Sequence, residues 1–555
     1  MKRKSLLVLL TLVLAFGTVL AACGSDNSND SSQGDGSSTP TEQVLKINLS
    51  AEPPTFDPAL AQDSQTNTVL KTMYEGLVRM DSEGNEIAGV AESWEISEDG
   101  LIYEFKLRED AKWSNGDAVT ANDFVFAWKR VLDPATSPAP PYSYQLYYIS
   151  GAEEYNTGEL TDFSKVGIEA VDEHTLKVTL KNPTPYFLGL TSFYTYYPVH
   201  QSVEGNDKWA TNKDSMITNG AFTLTQWTTG QKIEVTKNEQ YWDKDNIKLS
   251  KIDMSLTPSG ATELSSYRSG ELDYAGAPNG EIPTDQIPGV SKELPEEFHS
   301  TGIASTYYYM FNTTAEPFQN AKIRKAFTMA LTRQSIVDNV TLGGQIPAYG
   351  FVPPGIKGES AQFREEVKDA EYFQENADEA KKLLEEGMKE EGYTTLPKIT
   401  LIYNSSEAHQ KLAVAAANMW KTVLGVEVAT QNQEWGVFLE TRNNLNYQIA
   451  RAGWSADYND PMTFMDIWTT GNGNNDSGYA NPEYDALIEK AAEEKDLAKR
   501  NEYFAQAEKI LIQDDMVIAP VYYYTNVSLT KPNLKGVSLD FSGAIDFTRA
   551  YLENK

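Results

Sequence analysis

The chain carries a single cysteine in 555 residues, Cys23, so no disulfide can form within it. Histidine is almost as scarce. His174, His200, His299 and His409 stand far apart, without the short spacings of a metal site. A Gly-x-Ser-x-Gly elbow, a His-Glu-x-x-His helix and a Walker loop are all missing. What is left for catalysis is a triad gathered from scattered Ser, His and Asp, which nothing in the sequence favours. No enzymatic activity, metal or cofactor is therefore expected. Positive charge is also in deficit: 47 Lys and Arg face 79 Asp and Glu, a net charge of −32. So acidic a body repels phosphates, which excludes nucleic acid as a partner. Past the first twenty residues no apolar run reaches spanning length, so no transmembrane helix is expected.

What is present begins at the N-terminus. Lys2, Arg3 and Lys4 precede an apolar run over 6–20 that ends Leu20-Ala21-Ala22-Cys23-Gly24. This is the pattern of a lipoprotein signal peptide over 1–22, with diacylglyceryl modification of the Cys23 sulfur after cleavage. The alternative is an ordinary signal peptide whose cut falls near a cysteine. Two acyl chains suffice for stable anchoring, which places the body on the extracytoplasmic face of a bacterial cell membrane. Residues 23–43, rich in Ser, Asn, Asp and Gly, read as a flexible tether. The remaining chain, at 40% hydrophobic residues, is too long for one core and implies two or three lobes.

Period-two alternation marks strands at 44–50, 101–107 and 175–180, and helical stripes mark 66–78 and 121–132. Residues 133–148, rich in Pro and Tyr, read as an ordered loop. A hairpin is expected over 221–236 with Gly230 at its turn, and 307–311 is a short aromatic strand. Helices follow at 321–331, 377–391, 484–491 and 501–512, with a strand at 517–524. Between them, 398–404, 408–424, 426–432, 434–443 and 447–454 alternate strand and helix. That βαβαβ order implies right-handed crossovers and a parallel sheet, whose ligands bind beyond the carboxyl ends of its strands.

Asp457 lies just past such an end, in Arg451-Ala-Gly-Trp-Ser-Ala-Asp-Tyr-Asn-Asp-Pro461. An acid at a strand mouth suits capture of an ammonium group. Arg451, six positions earlier, places a cation at the same mouth, so a zwitterion with separated amine and carboxylate complements the pair. His409 begins the helix after the first strand, where free amides and the helix dipole favour an anion. A packed histidine is the plainer reading there. Arg442 shares a helical face with Trp435, Phe438 and Leu439, and needs a carboxylate or a route to water. A structural ion pair explains it, and the simple topology puts it away from the mouth. For Trp435, Trp454 and Tyr307–Tyr309, core packing and pocket wall stand about even.

Several segments carry a family resemblance: Gly76-Leu-Val, Ala91-Glu-Ser-Trp94, Phe105–Phe124 (FKLREDAKWSNGDAVTANDF), Tyr267-Arg-Ser-Gly-Glu-Leu-Asp273, 307–340 and 433–461. Over nearly the whole mature length the chain resembles the oligopeptide-binding proteins of ABC importers, the OppA type of extracellular solute-binding family 5. The resemblance implies an α/β fold that is periplasmic-binding-protein-like (type II, cluster C), with two large lobes, a hinge and an additional smaller lobe. Lobe I would comprise 44–74, 202–306 and 525–555, lobe II 75–201, and lobe III 307–524. It implies a monomeric receptor that closes on short peptides and delivers them to an ABC permease. Asp457 would grip the peptide ammonium, while Arg451, His409 and Arg442 meet its carboxylate. Gly453, Ser455 and Ser64 would contact the peptide backbone, with Trp435 and Trp454 as pocket walls. A family lysine is replaced by Thr341, so one carboxylate partner is missing, and a common cysteine is replaced by Ser455. Relatives that carry dipeptides, murein peptide, nickel or haem, a non-transporting peptide receptor, and a surface peptidase are the competing readings.

Overall fold

The computed structural model describes residues 42–553 except 82–84, 207 and 368–371. Cys23, the signal peptide and most of the expected tether lie outside the described residues. The chain enters with strand β1 (Val44–Asn48) and helix α1 (Ser64–Met73), whose N-cap Asp63 accepts the Thr66 amide at 2.9 Å. Strands β2 (Ala91–Ile96) and β3 (Ile102–Leu107), helix α2 (Ala121–Leu132), and strands β4 (Ile168–Asp172) and β5 (Thr175–Thr179) follow. They make an antiparallel sheet of order β2-β3-β5-β4. In α2, Thr120 and Asp123 close a capping box, and Phe124, Trp128 and Leu132 form a buried stripe.

Strands β6 (Phe222–Thr228) and β7 (Lys232–Lys237) form the hairpin, turned through Gly230 at φ 66°. With β8 (Lys251–Ser255) they add to the first strand in the order β1-β8-β7-β6. Strand β9 (Tyr274–Gly276) precedes β10 (Phe298–Phe311), a 14-residue strand where the sequence pattern marks only its last five residues. Its first half, Phe-His-Ser-Thr-Gly-Ile-Ala, is polar and unpatterned; pairing to a distant strand holds it extended.

Helix α3 (Ala321–Met329) and the two-residue β11 (Ile346–Pro347) lead into the central unit. That unit is β12 (Ile399–Asn404), α4 (Glu407–Leu424), β13 (Val428–Gln433), α5 (Trp435–Asn443) and β14 (Ile449–Ser455). The αL cap Gly425 (φ 70°) ends α4, and its buried face, Leu412, Ala416 and Trp420, packs on α3. The Trp420 indole N–H donates to the Phe327 carbonyl at 2.8 Å. Helix α6 (Leu497–Lys509) and β15 (Ile518–Thr530) complete the larger sheet, of order β9-β15-β10-β14-β12-β13 with β11 beside β15. The expected parallel pairs are there, β12 beside both β13 and β14, but the sheet is mixed because β14 also runs antiparallel to β10. Helix 66–78 proves shorter, with a separate strand at Val78–Met80, and the last helix turns to a π-turn at Ile510–Asp514.

A buried carboxylate pins this sheet to its surroundings. Glu508 on α6, 0% exposed, accepts the amides of Phe351 (2.6 Å) and Val352 (2.9 Å), the Tyr372 hydroxyl (2.8 Å) and the Arg364 guanidinium (2.6 Å). Removing one partner of such a pair strands the other charge out of water. Glu508→Ala is expected to lower the unfolding free energy by about 3–5 kcal/mol, measured by urea denaturation.

Candidate binding site

Where β12 and β14 separate, the sheet opens. The two strands pair only at Leu401–Ile449 and Ile402–Ala450, then diverge, while β14 stays fully paired with β10 on its other side. Beyond Ala450 the β12-facing edge of β14 therefore has no strand partner among the described residues. The chain passes from β12 outward to β13, then back across β12 to β14. The gap is thus the switch point of the parallel unit, where open α/β sheets take ligands. A cavity of about 920 Å³ occupies it. Asp457, Arg451, His409, Arg442, Gly453, Ser455, Ser64, Trp435 and Trp454 all line this one cavity, and so does Thr341.

Asp457 ends the β14 segment. Its main-chain N–H donates to Thr463 Oγ1 at 3.0 Å, and its Oδ2 accepts the Gln145 side-chain amide at 2.9 Å. Burial, and next the Asp466 carboxylate, push its pKa well above the usual carboxylate range; the bonds from Gln145 and Thr463 act the other way. The magnitudes agree with that direction. A hydrogen bond to a charged group contributes about 1.5–3 kcal/mol, whereas stripping water from a carboxylate costs several. No internal arginine pairs with Asp457 among the described residues.

Arg451 lies on the same strand and is nearly buried. Its Nε donates to Asn404 Oδ1 at 2.7 Å across the gap between β14 and β12, and its guanidinium stands 5.7 Å from the rings of Trp435 and Phe438. No carboxylate forms an ion pair with it among the described residues. Arg442 has one: its Nη2 donates to Asp476 Oδ2 at 2.6 Å, so the structural ion pair accounts for that side chain. The simple topology nonetheless misplaced it, because Arg442 reaches the cavity wall.

His409 sits at the start of α4, its amide capped by Ser406 Oγ at 3.2 Å and its ring 5.7 Å from that of Tyr307. Burial, then the nearby Arg451, drop its pKa well below the ordinary histidine value, so it faces the cavity as a neutral imidazole. The helix end beside it is already occupied by an anion. Glu281 accepts from the Ser406 hydroxyl (2.6 Å) and the Ala408 amide (3.3 Å). Thr341 is buried in the π-turn Val337–Thr341, its hydroxyl 3.4 Å from the Val337 carbonyl. Ser455 donates to Ser305 Oγ at 2.9 Å, Gly453 lies against the Tyr524 ring, and Ser64 is exposed on the first turn of α1. Trp435 stacks on Phe438 at 6.0 Å and Trp454 tilts against Tyr142 at 6.2 Å.

Four functional candidates escape the sequence patterns. Gln145 comes from the Pro- and Tyr-rich loop, and Asp466 and Glu281 from irregular segments, where no periodicity speaks. Asp63 had one usable signal, an acid directly before a helix; it lines the cavity, and burial raises its pKa against the two bonds from Thr66.

This architecture, a type II periplasmic-binding-protein fold around a large cavity, is that of a solute-binding protein. Residues 86–476 match the model of the bacterial extracellular solute-binding proteins, family 5. The chain belongs to that family. It is 44% identical over 552 residues to the oligopeptide-binding protein OppA of Bacillus subtilis (strain 168), covering 98% of this chain and 99% of that one. A crystal structure of Haemophilus influenzae OppA in complex with the peptide RPPGFSPFR is 36% identical and superposes with a TM-score of 0.85, over 92% of this chain and 99% of that one. The Escherichia coli murein tripeptide binding protein MppA is 34% identical and gives 0.86 over 93% and 99% of the two chains. Its unliganded open form gives only 0.60, over 92% and 97%.

Arg451→Gln is expected to raise the pKa of His409 by removing a nearby positive charge. It should remain below the ordinary value, because burial is the larger cause. Carbon-13 NMR titration of the His409 ring tests this.

Proposed function

We propose that the protein is a lipid-anchored, extracytoplasmic receptor that encloses short peptides and hands them to an ABC permease. The observation that carries this reading is a cation on β14 and an acid two residues past its end, neither neutralised by an opposite side-chain charge, at either end of an unpaired strand edge. An extended peptide supplies what each part requires. Its ammonium meets Asp457, its carboxylate meets Arg451, with His409 as a neutral donor, and its main chain pairs with Gly453 and Ser455. Backbone pairing gives affinity without regard to side chain, and Trp435 and Trp454 wall the space beyond. Ser64 lines the same cavity.

Closure by a hinge fits the strands that link the proposed lobes. The boundaries at 306/307 and 524/525 fall inside β10 and β15, which pair with one another and shift register between Gly302 and Thr306. A bulge there is the place where two lobes swing with least disruption. The higher TM-score to MppA than to its open form supports a closed arrangement. Lobe II, 75–201, contributes Gln145 to the ammonium end. Arg442 is engaged by Asp476, so it serves a carboxylate only by sharing that charge. Cys23 carries the anchor, and the receptor acts as a monomer.

Native mass spectrometry of protein purified from cells is expected to find co-purified peptides. Truncating one partner of a desolvated charge pair costs about 2–5 kcal/mol, so Asp457→Ala should weaken calorimetric peptide affinity by roughly 30- to 4,000-fold while the fold persists. Unchanged binding would remove Asp457 from the ammonium role. Cys23→Ser should move the protein from the membrane fraction to the medium on fractionation of cells.

A further inference from the structure

Behind Asp457 lies a second acid that touches no part of the cavity. Asp466 opens the turn Asp466–Trp468 and is 8% exposed. Its Oδ2 accepts only a long 3.4 Å bond from the Tyr458 hydroxyl, and its Oδ1 has no hydrogen-bond partner. No cation pairs with it among the described residues. Arg500 on α6 is committed to Asp460 by bonds of 2.6 and 2.8 Å. The titratable groups facing Asp466 are otherwise acids and tyrosines: Asp457, Tyr458 and Asp460 from its own segment, Tyr142, Tyr144 and Tyr148 from the lobe II loop, then Tyr186 and Tyr484. The Tyr484 hydroxyl is spent on the Met465 carbonyl at 2.5 Å. Asp457 and Tyr458 are adjacent in the chain, and it is the Tyr458 hydroxyl that reaches Asp466.

We propose that Asp457 and Asp466 act as a two-carboxylate unit, in which Asp466 is a positioning residue that makes capture of an ammonium group expel a proton. The inference rests on the peptide reading above. Two like charges in a desolvated pocket without a cation cannot both ionise, so the pair retains a proton before capture. Both acids are pushed up by burial, and Asp457 further by Asp466. An arriving ammonium supplies the missing positive charge. The pair then ionises, the retained proton passes to solvent, and net charge is conserved. The sign follows from linkage. Each released proton makes affinity fall about tenfold per pH unit as pH drops through the titration of the unliganded pair. The pocket thereby distinguishes amines from neutral groups more sharply than one carboxylate does, and it releases ligand in acid.

Isothermal calorimetry of the full protein with tetra-alanine, in buffers of equal pH but different ionisation heats, counts the protons. The wild type is expected to release a proton, and its affinity to fall as pH is lowered from about 8 to about 5. Asp466→Asn keeps the shape of the protonated acid. It should release fewer protons on binding and show a flatter pH profile. A proton count that Asp466→Asn leaves unchanged, or no release by wild type, overturns the assignment and leaves Asp466 a packed structural acid. Should the variant fail to fold, the wild-type count decides alone. Tetra-alanine that binds with the wrong proton count sinks this inference only, whereas a wild type that binds no peptide at any pH sinks the peptide reading and this with it.

Discussion

A carboxylate withdrawn from water, answered by a neutral amide instead of a cation, is the constraint the site is built around. The Gln145 bond to Asp457 is short and well formed, yet one such bond does not offset the loss of hydration. In the proposed peptide reading, a positive group completes the pocket. Strand β14 fixes where that group must lie, because its pairing with β10 continues to Ser455 and carries the backbone rigidly to the position of Asp457. The tyrosines of the lobe II loop then wall the pocket and lower its local dielectric, which strengthens the contact further.

The same strand sets the opposite end. Because β12 leaves β14 after two paired residues, Arg451 projects into a gap where Asn404, not an acid, meets it. Had β12 stayed in register, Arg451 would stand within a closed sheet and the edge of Gly453 and Ser455 would be spent. One divergence of two neighbouring strands therefore produces the cavity, the free backbone edge and the cavity-lining guanidinium together. The edge and the cation share one strand, and the acid follows two residues past its end.

Much of this was legible in the amino-acid order. The alternation of strand and helix over 398–454 gave the central unit nearly residue for residue, helped by the length and periodicity of α4 and its Gly425 cap. The family resemblance gathered residues as distant as Ser64 and Asp457 into one cavity, which no local pattern does. Other features had no local cause. The polar first half of β10 is extended only because β15 pairs with it. Gln145 sits in a loop whose shape is set by tyrosine packing. The neutral state of His409 comes from burial and from Arg451, forty-two positions along the chain. Arg442 was misplaced because α5 is short: in little more than two turns, its penultimate side chain still reaches the cavity.

The carboxylate of Glu281 at the start of α4 has a consequence for any acidic group that approaches this helix. Its tether makes it a resident competitor at millimolar or greater effective concentration, already bonded to Ser406 and Ala408. An incoming anion must evict it, not merely be attracted, and the electrostatic gain of one negative charge is cancelled by the loss of another. That helix end therefore selects by shape and reach, and the discrimination of charge falls to Arg451.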